Sequence, residues 1–312
     1  MKETSITDPA PIDVWILSGY LGAGKTTTLN SMLKSEFFSN KNLALIINEF
    51  GNMGIDGKIV ESKEHPKYEI NKGSIFCICT KTDFIRYMTE ISENVRPQAL
   101  LIEATGIAET RDIESFVKEP HLKDRFRVRA NICIVDAVNF TKAAAYFRPV
   151  TSQVRWADCV IINKTDLIRH EDVETLKELI TKYNKQARIF VTSHGNIDMA
   201  LLKDIRHIQR KGEALDKPPE PIFAVSFETG QPIDEKRFLE VIRKLGNKLL
   251  RLKGNVNFAH GSEYFEVVGS EIIRKPRCDN LEKTAFVIIA WQTEKDHLTE
   301  MFESSYEKPL EK

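Results

Sequence analysis

The sequence predicts an α/β fold in which a mostly parallel sheet is covered by helices and followed by a smaller α+β domain. Three observations lead there. Between residues 14 and 193, short and nearly continuous apolar runs alternate with helical stretches, as in a sheet buried on both faces. A glycine-rich pattern from Gly19 to Thr26 joins the first run to the first helix, and a polar, proline-rich break at 211–221 sets off a second group of elements.

The strands are expected at residues 14–17, 43–47, 99–102, 131–135, 159–162 and 189–191. Helices are expected between them because Phe84, Tyr87, Met88 and Ile91 recur at i, i+3, i+4 and i+7, as do Leu176, Leu179, Ile180 and Tyr183. The break at 211–221 reads Lys-Gly-Glu-Ala-Leu-Asp-Lys-Pro-Pro-Glu-Pro, which disfavours both helix and central strand. It divides the chain into a first domain over 1–210, a linker over 211–221 and a C-terminal domain over 222–312. That last part holds a strand-like run at 222–227, a helix carrying Phe238, Val241, Ile242 and Leu245, and further strand-like runs ending at 284–291, hence α+β.

With 312 residues the chain exceeds the roughly 250 to 300 that one core usually holds, which fits two units. Its 45 basic and 45 acidic residues cancel, so composition points neither to nucleic acid nor to an anionic membrane as the main partner. There is no long apolar run, and the N-terminus lacks the basic segment and apolar core of a secretory signal, so a cytoplasmic protein is expected. The five cysteines are too few and too scattered for a disulfide framework, and only Cys77-Ile78-Cys79 groups two of them.

The first strand runs into Gly19-Tyr-Leu-Gly22-Ala-Gly24-Lys25-Thr26, and Thr27 continues into a helix-compatible stretch. This is the P-loop pattern in the strand, loop, helix context that it needs. The glycines let successive backbone N–H groups turn toward phosphates, and the helix N-terminus adds its positive dipole end. Lys25 is expected to neutralise the β and γ phosphates and to touch the ligand alone, and the Thr26 hydroxyl to ligate Mg²⁺. Leu101-Ile-Glu103-Ala-Thr-Gly106 then places a carboxylate at a strand end, where it can hold the Mg²⁺ through water, and a Gly106 N–H that can sense a γ-phosphate.

A late strand ends in Asn163-Lys164-Thr165-Asp166, at the sheet edge where α/β proteins bind ligands. The Asp166 carboxylate can accept from guanine N1–H and the exocyclic amine, whereas adenine offers an acceptor at N1 and no amine at C2. Asp166 therefore selects guanine, and the P-loop domain is expected to be a GTPase. Asn163 can either bond the N7/O6 edge of the base or brace the P-loop, and the Lys164 stem can lie over the ring face. Ser193-His194-Gly195 is either a second contact to guanine O6 or a plain turn.

These motifs, in this order, resemble the CobW-like family of metal-trafficking GTPases, relatives of the nickel-enzyme maturation GTPases. The resemblance rests on Ser18 to Thr27, Asn48-Glu-Phe-Gly51 with Gly54-Ile-Asp56, Glu103 to Gly106, Asn163 to Asp166, and Leu250-Arg-Leu-Lys-Gly254. It implies that 48–56 is a switch-like loop, that Glu49 is a candidate Mg²⁺ or metal ligand, and that the second domain helps to bind a client protein. It also makes a GTP-dependent homodimer an expectation. Either Glu49 or Glu103 can orient the attacking water. Family members usually carry Cys-x-Cys-Cys after a glycine; here Gly73 is followed by Ser74-Ile-Phe76-Cys77-Ile-Cys79, with only Cys77 in register.

If that segment is extended, Cys77 and Cys79 share a face with Cα atoms about 6.5 to 7 Å apart, close enough to reach one ion. Two thiolates suit a borderline-soft ion such as Zn²⁺ or Co²⁺ but do not complete a tetrahedral site. The bland alternative is two small buried strand residues. Three functions follow in order: GTP-controlled delivery of Zn²⁺ or Co²⁺ to a client metalloprotein, GTP-controlled activation of a metallo- or corrinoid-dependent enzyme by a chain that carries no metal, and a small-molecule kinase. Asn163 to Asp166 disfavours the kinase, which gains nothing from reading guanine.

Overall fold

The computed structural model describes residues 10–48, 65–70, 78–104, 106, 110–210, 222–268, 271–276, 283–291 and 293–306. These fall into two compact units, one holding described residues up to 210 and the other those from 222 onward.

In the first unit the order is β1 (Ile12–Gly19), α1 (Lys25–Lys34), α2 (Glu36–Ser39), β2 (Leu43–Asn48), β3 (Lys67–Ile70), α3 (Ile78–Glu90), β4 (Ala99–Glu103), α4 (Thr110–Val117) and β5 (Phe126–Asp136). It continues with α5 (Phe140–Tyr146), α6 (Arg148–Trp156), β6 (Cys159–Asn163), α7 (His170–Tyr183), β7 (Arg188–Val191) and α8 (Met199–Lys203). The seven strands pair in parallel in the order β3-β2-β4-β1-β5-β6-β7. Each expected strand is present, and β3 is an addition, a four-residue edge strand too short and too polar to stand out.

Alternation along β1 shows why the apolar runs are continuous. Trp15 and Leu17 pack with Leu29, Met32 and Phe38 on one face, while Val14 and Ile16 pack with Phe84, Met88 and Ile91 on the other. A third cluster sets Cys133, Val135, Val160 and Ile162 against Val154 of α6 and Leu176 and Ile180 of α7. Cys133 and Cys159 are free, buried thiols in this packing, and burial pushes the Cys133 thiol up to about 12, so neither is poised as a nucleophile.

In the second unit, β8 (Ile222–Thr229), α9 (Glu235–Leu245), β9 (Leu249–Phe258), β10 (Gly261–Val268), β11 (Glu271–Pro276), β12 (Thr284–Trp291) and α10 (Lys295–Glu303) follow one another. The antiparallel sheet has the order β11-β10-β9-β12-β8. Asp234 caps α9 by accepting from the Arg237 N–H at 2.9 Å, and Phe238, Val241, Ile242 and Leu245 of that helix are all buried. Their partners include Phe227, Phe265, Phe286 and Phe302, which make edge-on, stacked and tilted ring contacts at centroid distances of 4.9 to 6.1 Å. The sequence did not signal α10, which closes this core with Leu298 and Phe302.

Candidate functional site

Parallel pairing brings the carboxyl ends of β1, β4, β5 and β6 to one edge of the sheet. The register sets Leu17 beside both Glu103 and Ile132, Gly19 beside Ile134, and Asp136 beside Asn163. Four loops that lie far apart in sequence therefore meet there, as expected where open α/β sheets hold ligands.

The loop after β1 is held tightly. Gly24 precedes α1 with φ of 99°, a left-handed conformation, and a Cβ there would lie 2.3 Å from Nδ2 of Asn163, so only glycine fits. Gly19 and Gly22 also have positive φ. Among the described residues no side chain caps the start of α1, and a helix N-terminus is a place where backbone N–H groups can meet an anion. Lys25 is buried, and its Nζ donates to the Gly19 and Tyr20 carbonyls at 2.9 and 3.2 Å. The expectation that Lys25 touches the ligand alone is thus corrected: the ammonium also draws two carbonyls of its own loop inward. Thr27, two positions after Lys25 in the helix, is exposed.

Thr26 Oγ1 donates to Glu103 Oε1 at 2.9 Å, joining the P-loop to the end of β4. A hydroxyl and a carboxylate are hard oxygen donors, the set that suits Mg²⁺. Gly106 lies against the P-loop, since a Cβ on it would come within 2.4 Å of the Leu21 side chain. Its carbonyl accepts from Gln153 Nε2 of α6 at 3.3 Å. Gln153 gave no sign in the sequence, being one amide in an amphipathic helix.

Asn163 is a brace. Its Nδ2 donates to the Ala23 carbonyl at 3.0 Å, and its Oδ1 accepts from the Gly195 N–H at 2.9 Å. Of the two expected roles the structure shows this one, and it ties the P-loop to the turn after β7. Gly195 packs on α1, where a Cβ would lie 2.9 Å from the Thr28 nitrogen. Asp166 is exposed beside that turn, with His194 Nε2 3.8 Å from its Oδ2, beyond hydrogen-bond range. Lys164 Nζ donates to Asp136 Oδ2 at 2.8 Å. Asp136 was not singled out in the sequence; its signal is a carboxylate closing the apolar run 131–135.

Glu49 and Cys77 lie outside the described residues. Cys79 is the second residue of α3, so the strand geometry that would set it on one face with Cys77 does not hold at that position. Among the described residues, no three His, Cys, Asp or Glu side chains gather in a way that could hold a metal ion. Nor is any described helix long and apolar enough to cross a membrane.

A different charged cluster sits at the start of β6. Asp158 accepts from the Asn131 and Ile208 N–H groups at 2.8 and 3.0 Å and from Arg210 Nη1 at 2.9 Å, and pairs with His207 Nδ1 at 2.9 Å. The other ring nitrogen of His207 is 3.4 Å from Glu114 Oε2 of α4. Burial alone would lower the His207 pKa, but the hydrogen bond to Asp158 and the nearby Asp158 and Glu114 carboxylates outweigh it, raising it to about 9. Burial likewise works against the Asp158 carboxylate, yet His207 and the backbone donors hold its pKa below the usual value.

The fold and the motifs at the ligand edge define a P-loop GTPase. Residues 13–191 match the family model for the CobW/HypB/UreG nucleotide-binding domain, and 222–305 match the cobalamin synthesis protein CobW C-terminal domain. The chain belongs to the CobW/HypB/UreG family. It is 28% identical over 263 residues to the zinc chaperone YjiA of Escherichia coli, covering 78% of this chain and 81% of that one. It is 29% identical over 202 residues to the zinc-regulated GTPase metalloprotein activator 1 of Schizosaccharomyces pombe, 62% of this chain and about half (48%) of the relative. The zinc chaperone CobW of a Sinorhizobium species is 25% identical over 64% of each chain. Among solved structures, Zn(II)-bound YjiA GTPase from E. coli aligns over 96% of this chain and 100% of that one at 24% identity and a TM-score of 0.48.

Proposed function

We propose that this GTPase couples its nucleotide state to delivery of a divalent metal, Zn²⁺ or Co²⁺, to a client metalloprotein. The observation that carries the metal reading is the similarity to relatives named zinc chaperones and a zinc-regulated metalloprotein activator. Zn²⁺ is favoured on those names. In this reading Lys25 and the first turn of α1, including Thr26 and Thr27, hold the phosphates, with the loop glycines Gly19, Gly22 and Gly24 giving them backbone access. Thr26 and Glu103 hold the Mg²⁺, which when bound offsets charge on the phosphates. Gly106 reports the γ-phosphate, Asn163 sets the spacing between P-loop and base, Lys164 lies on the ring, and Asp166 selects guanine. Glu49 or Glu103 orients the water.

Cargo metal is assigned to Cys77 and Cys79, with Glu49, a histidine or a second copy of the chain supplying further ligands, because two thiolates leave a tetrahedral ion incomplete. The competing reading is a conformational activator of a metalloenzyme that carries no metal, and the altered cysteine motif favours it. Titration with Co²⁺ in the presence of a GTP analogue separates them. Thiolate ligation gives an intense near-ultraviolet charge-transfer band, which Cys77→Ser with Cys79→Ser removes while GTP binding is kept, and which weakens as pH falls and protons compete for sulfur. No band in the parent protein, or a band that survives in the double variant, leaves the activator reading.

A further inference from the structure

Asp136 is used twice, and the two uses fall on different oxygens. Its Oδ1 accepts from the Val138 and Asn139 N–H groups at 2.9 and 3.1 Å and so shapes the turn after β5. Its Oδ2 accepts from Asn139 Nδ2 at 3.1 Å and from the Lys164 ammonium at 2.8 Å. The carboxylate is almost wholly buried, with a side-chain exposure of 3%, whereas Lys164 keeps 25%. A pair buried at one end and open at the other holds its lysine stem in place while leaving part of it for a ligand. Backbone geometry agrees: Lys164 has φ of 64°, a conformation that a lysine rarely adopts and that Asn or Gly would enter at lower cost. The turns on either side expose large apolar side chains, Val138 at 44% and Leu167 at 61%. Exposed apolar side chains in those turns, together with an anchored alkyl stem, suit the face of a flat ring.

We infer that Asp136 is a positioning residue for the purine: by clamping the Lys164 ammonium it fixes the lysine stem as the wall on which the guanine ring lies. The inference rests on the base-site reading of Asp166. It assigns Asp136 to nucleotide affinity through the base, with no part in holding phosphate.

The test is a double-mutant cycle on binding of GDP and of inorganic pyrophosphate, each with Mg²⁺. Asp136→Asn keeps a carbonyl oxygen for the two turn N–H groups and removes the charge that faces Lys164. Lys164→Met keeps an unbranched stem without the ammonium. Each single change should weaken GDP about tenfold, and the double variant should be no more than about twofold weaker than either, because both remove one interaction. Pyrophosphate affinity should stay within about twofold throughout, since it has no ring to place. Additive losses, or pyrophosphate weakening in step with GDP, would overturn the inference and leave Asp136 as a turn residue. Should Asp136→Asn fail to fold, Lys164→Arg decides: a guanidinium that still reaches Asp136 should retain GDP affinity where Lys164→Met loses it, and equal losses would overturn it. A parallel arm keeps the two readings apart. If Asp166→Asn leaves the preference for GDP over xanthosine diphosphate unchanged, the base reading falls and takes this inference with it; if that preference shifts but the cycle is additive, the inference alone falls.

Discussion

The two ends of β6 carry similar residues arranged for opposite ends. Before the strand, Asp158 is fully buried and answered on all sides by His207, Arg210 and two backbone N–H groups, with Glu114 closing on the far side of the imidazole. After it, Asn163 is consumed in bracing, Lys164 is clamped but partly open, and Asp166 stands exposed with no cation among the described residues within hydrogen-bond range. Charge enclosed among its partners, as at Asp158, serves the fold; charge left open at the ligand edge, as at Asp166 and in part at Lys164, can still meet a ligand. The difference separates residues that hold the fold from residues that the proposed function assigns to the nucleotide.

Substitutions at the two ends should therefore fail in different assays. The largest effect belongs to the ligand edge: Lys25→Ala should cut GTP turnover on the order of a thousandfold or more, by removing charge-assisted contacts to the transferred phosphate. Because Lys25 also bonds the Gly19 and Tyr20 carbonyls, a small loss of thermal stability should accompany it. Turnover within threefold of the parent would remove the phosphate-site assignment. At the other end, Asp158→Asn should cost about 3 kcal/mol of stability in denaturant titration, because it leaves His207 and Arg210 facing each other without their shared carboxylate. Turnover per folded molecule should hardly move.

The base comes next in size. Asp166→Asn should shift preference from GTP toward xanthosine triphosphate by roughly ten- to a hundredfold, since xanthine has a carbonyl where guanine has its amine and an amide can donate to it. Competition binding with the two nucleotides checks this, and an unchanged ratio would place the base elsewhere. The smallest effect is that of pH. His207 has a folded pKa of about 9, above the unfolded value near 6.5, so its contribution is fully present below pH about 6.5 and is lost as pH rises through about 9. With partial exposure and a shared carboxylate the loss should be on the order of 1 to 2 kcal/mol, visible as a falling denaturation midpoint that His207→Gln removes.

The sequence carried the fold and the ligand edge for a physical reason: strands buried on both faces read as continuous apolar runs, and the P-loop and Asn163-Lys164-Thr165-Asp166 are contiguous in the chain. What it hid is what the fold assembles from a distance. Asp136 meets Lys164 across 28 residues, Gln153 meets Gly106 across 47, and His207 meets Asp158 across 49. Each alone is an unremarked polar residue at a strand end, on a helix face or in a loop. The role of Asn163 was legible only as a pair of alternatives, because a side-chain amide can face either base or backbone until the neighbouring loops are placed.

One measurement tests the separation of the two ends most directly: thermal unfolding of the parent, Asp158→Asn and Asp166→Asn, each with and without saturating GDP and Mg²⁺. The midpoint without ligand reports the fold, and the ligand-induced rise reports binding. Asp158→Asn should melt about 10 °C below the parent yet keep the rise with GDP, while Asp166→Asn should melt with the parent, show a smaller rise with GDP and gain one with xanthosine diphosphate. A lost GDP response in Asp158→Asn, or a lowered midpoint with an intact GDP response in Asp166→Asn, would contradict it.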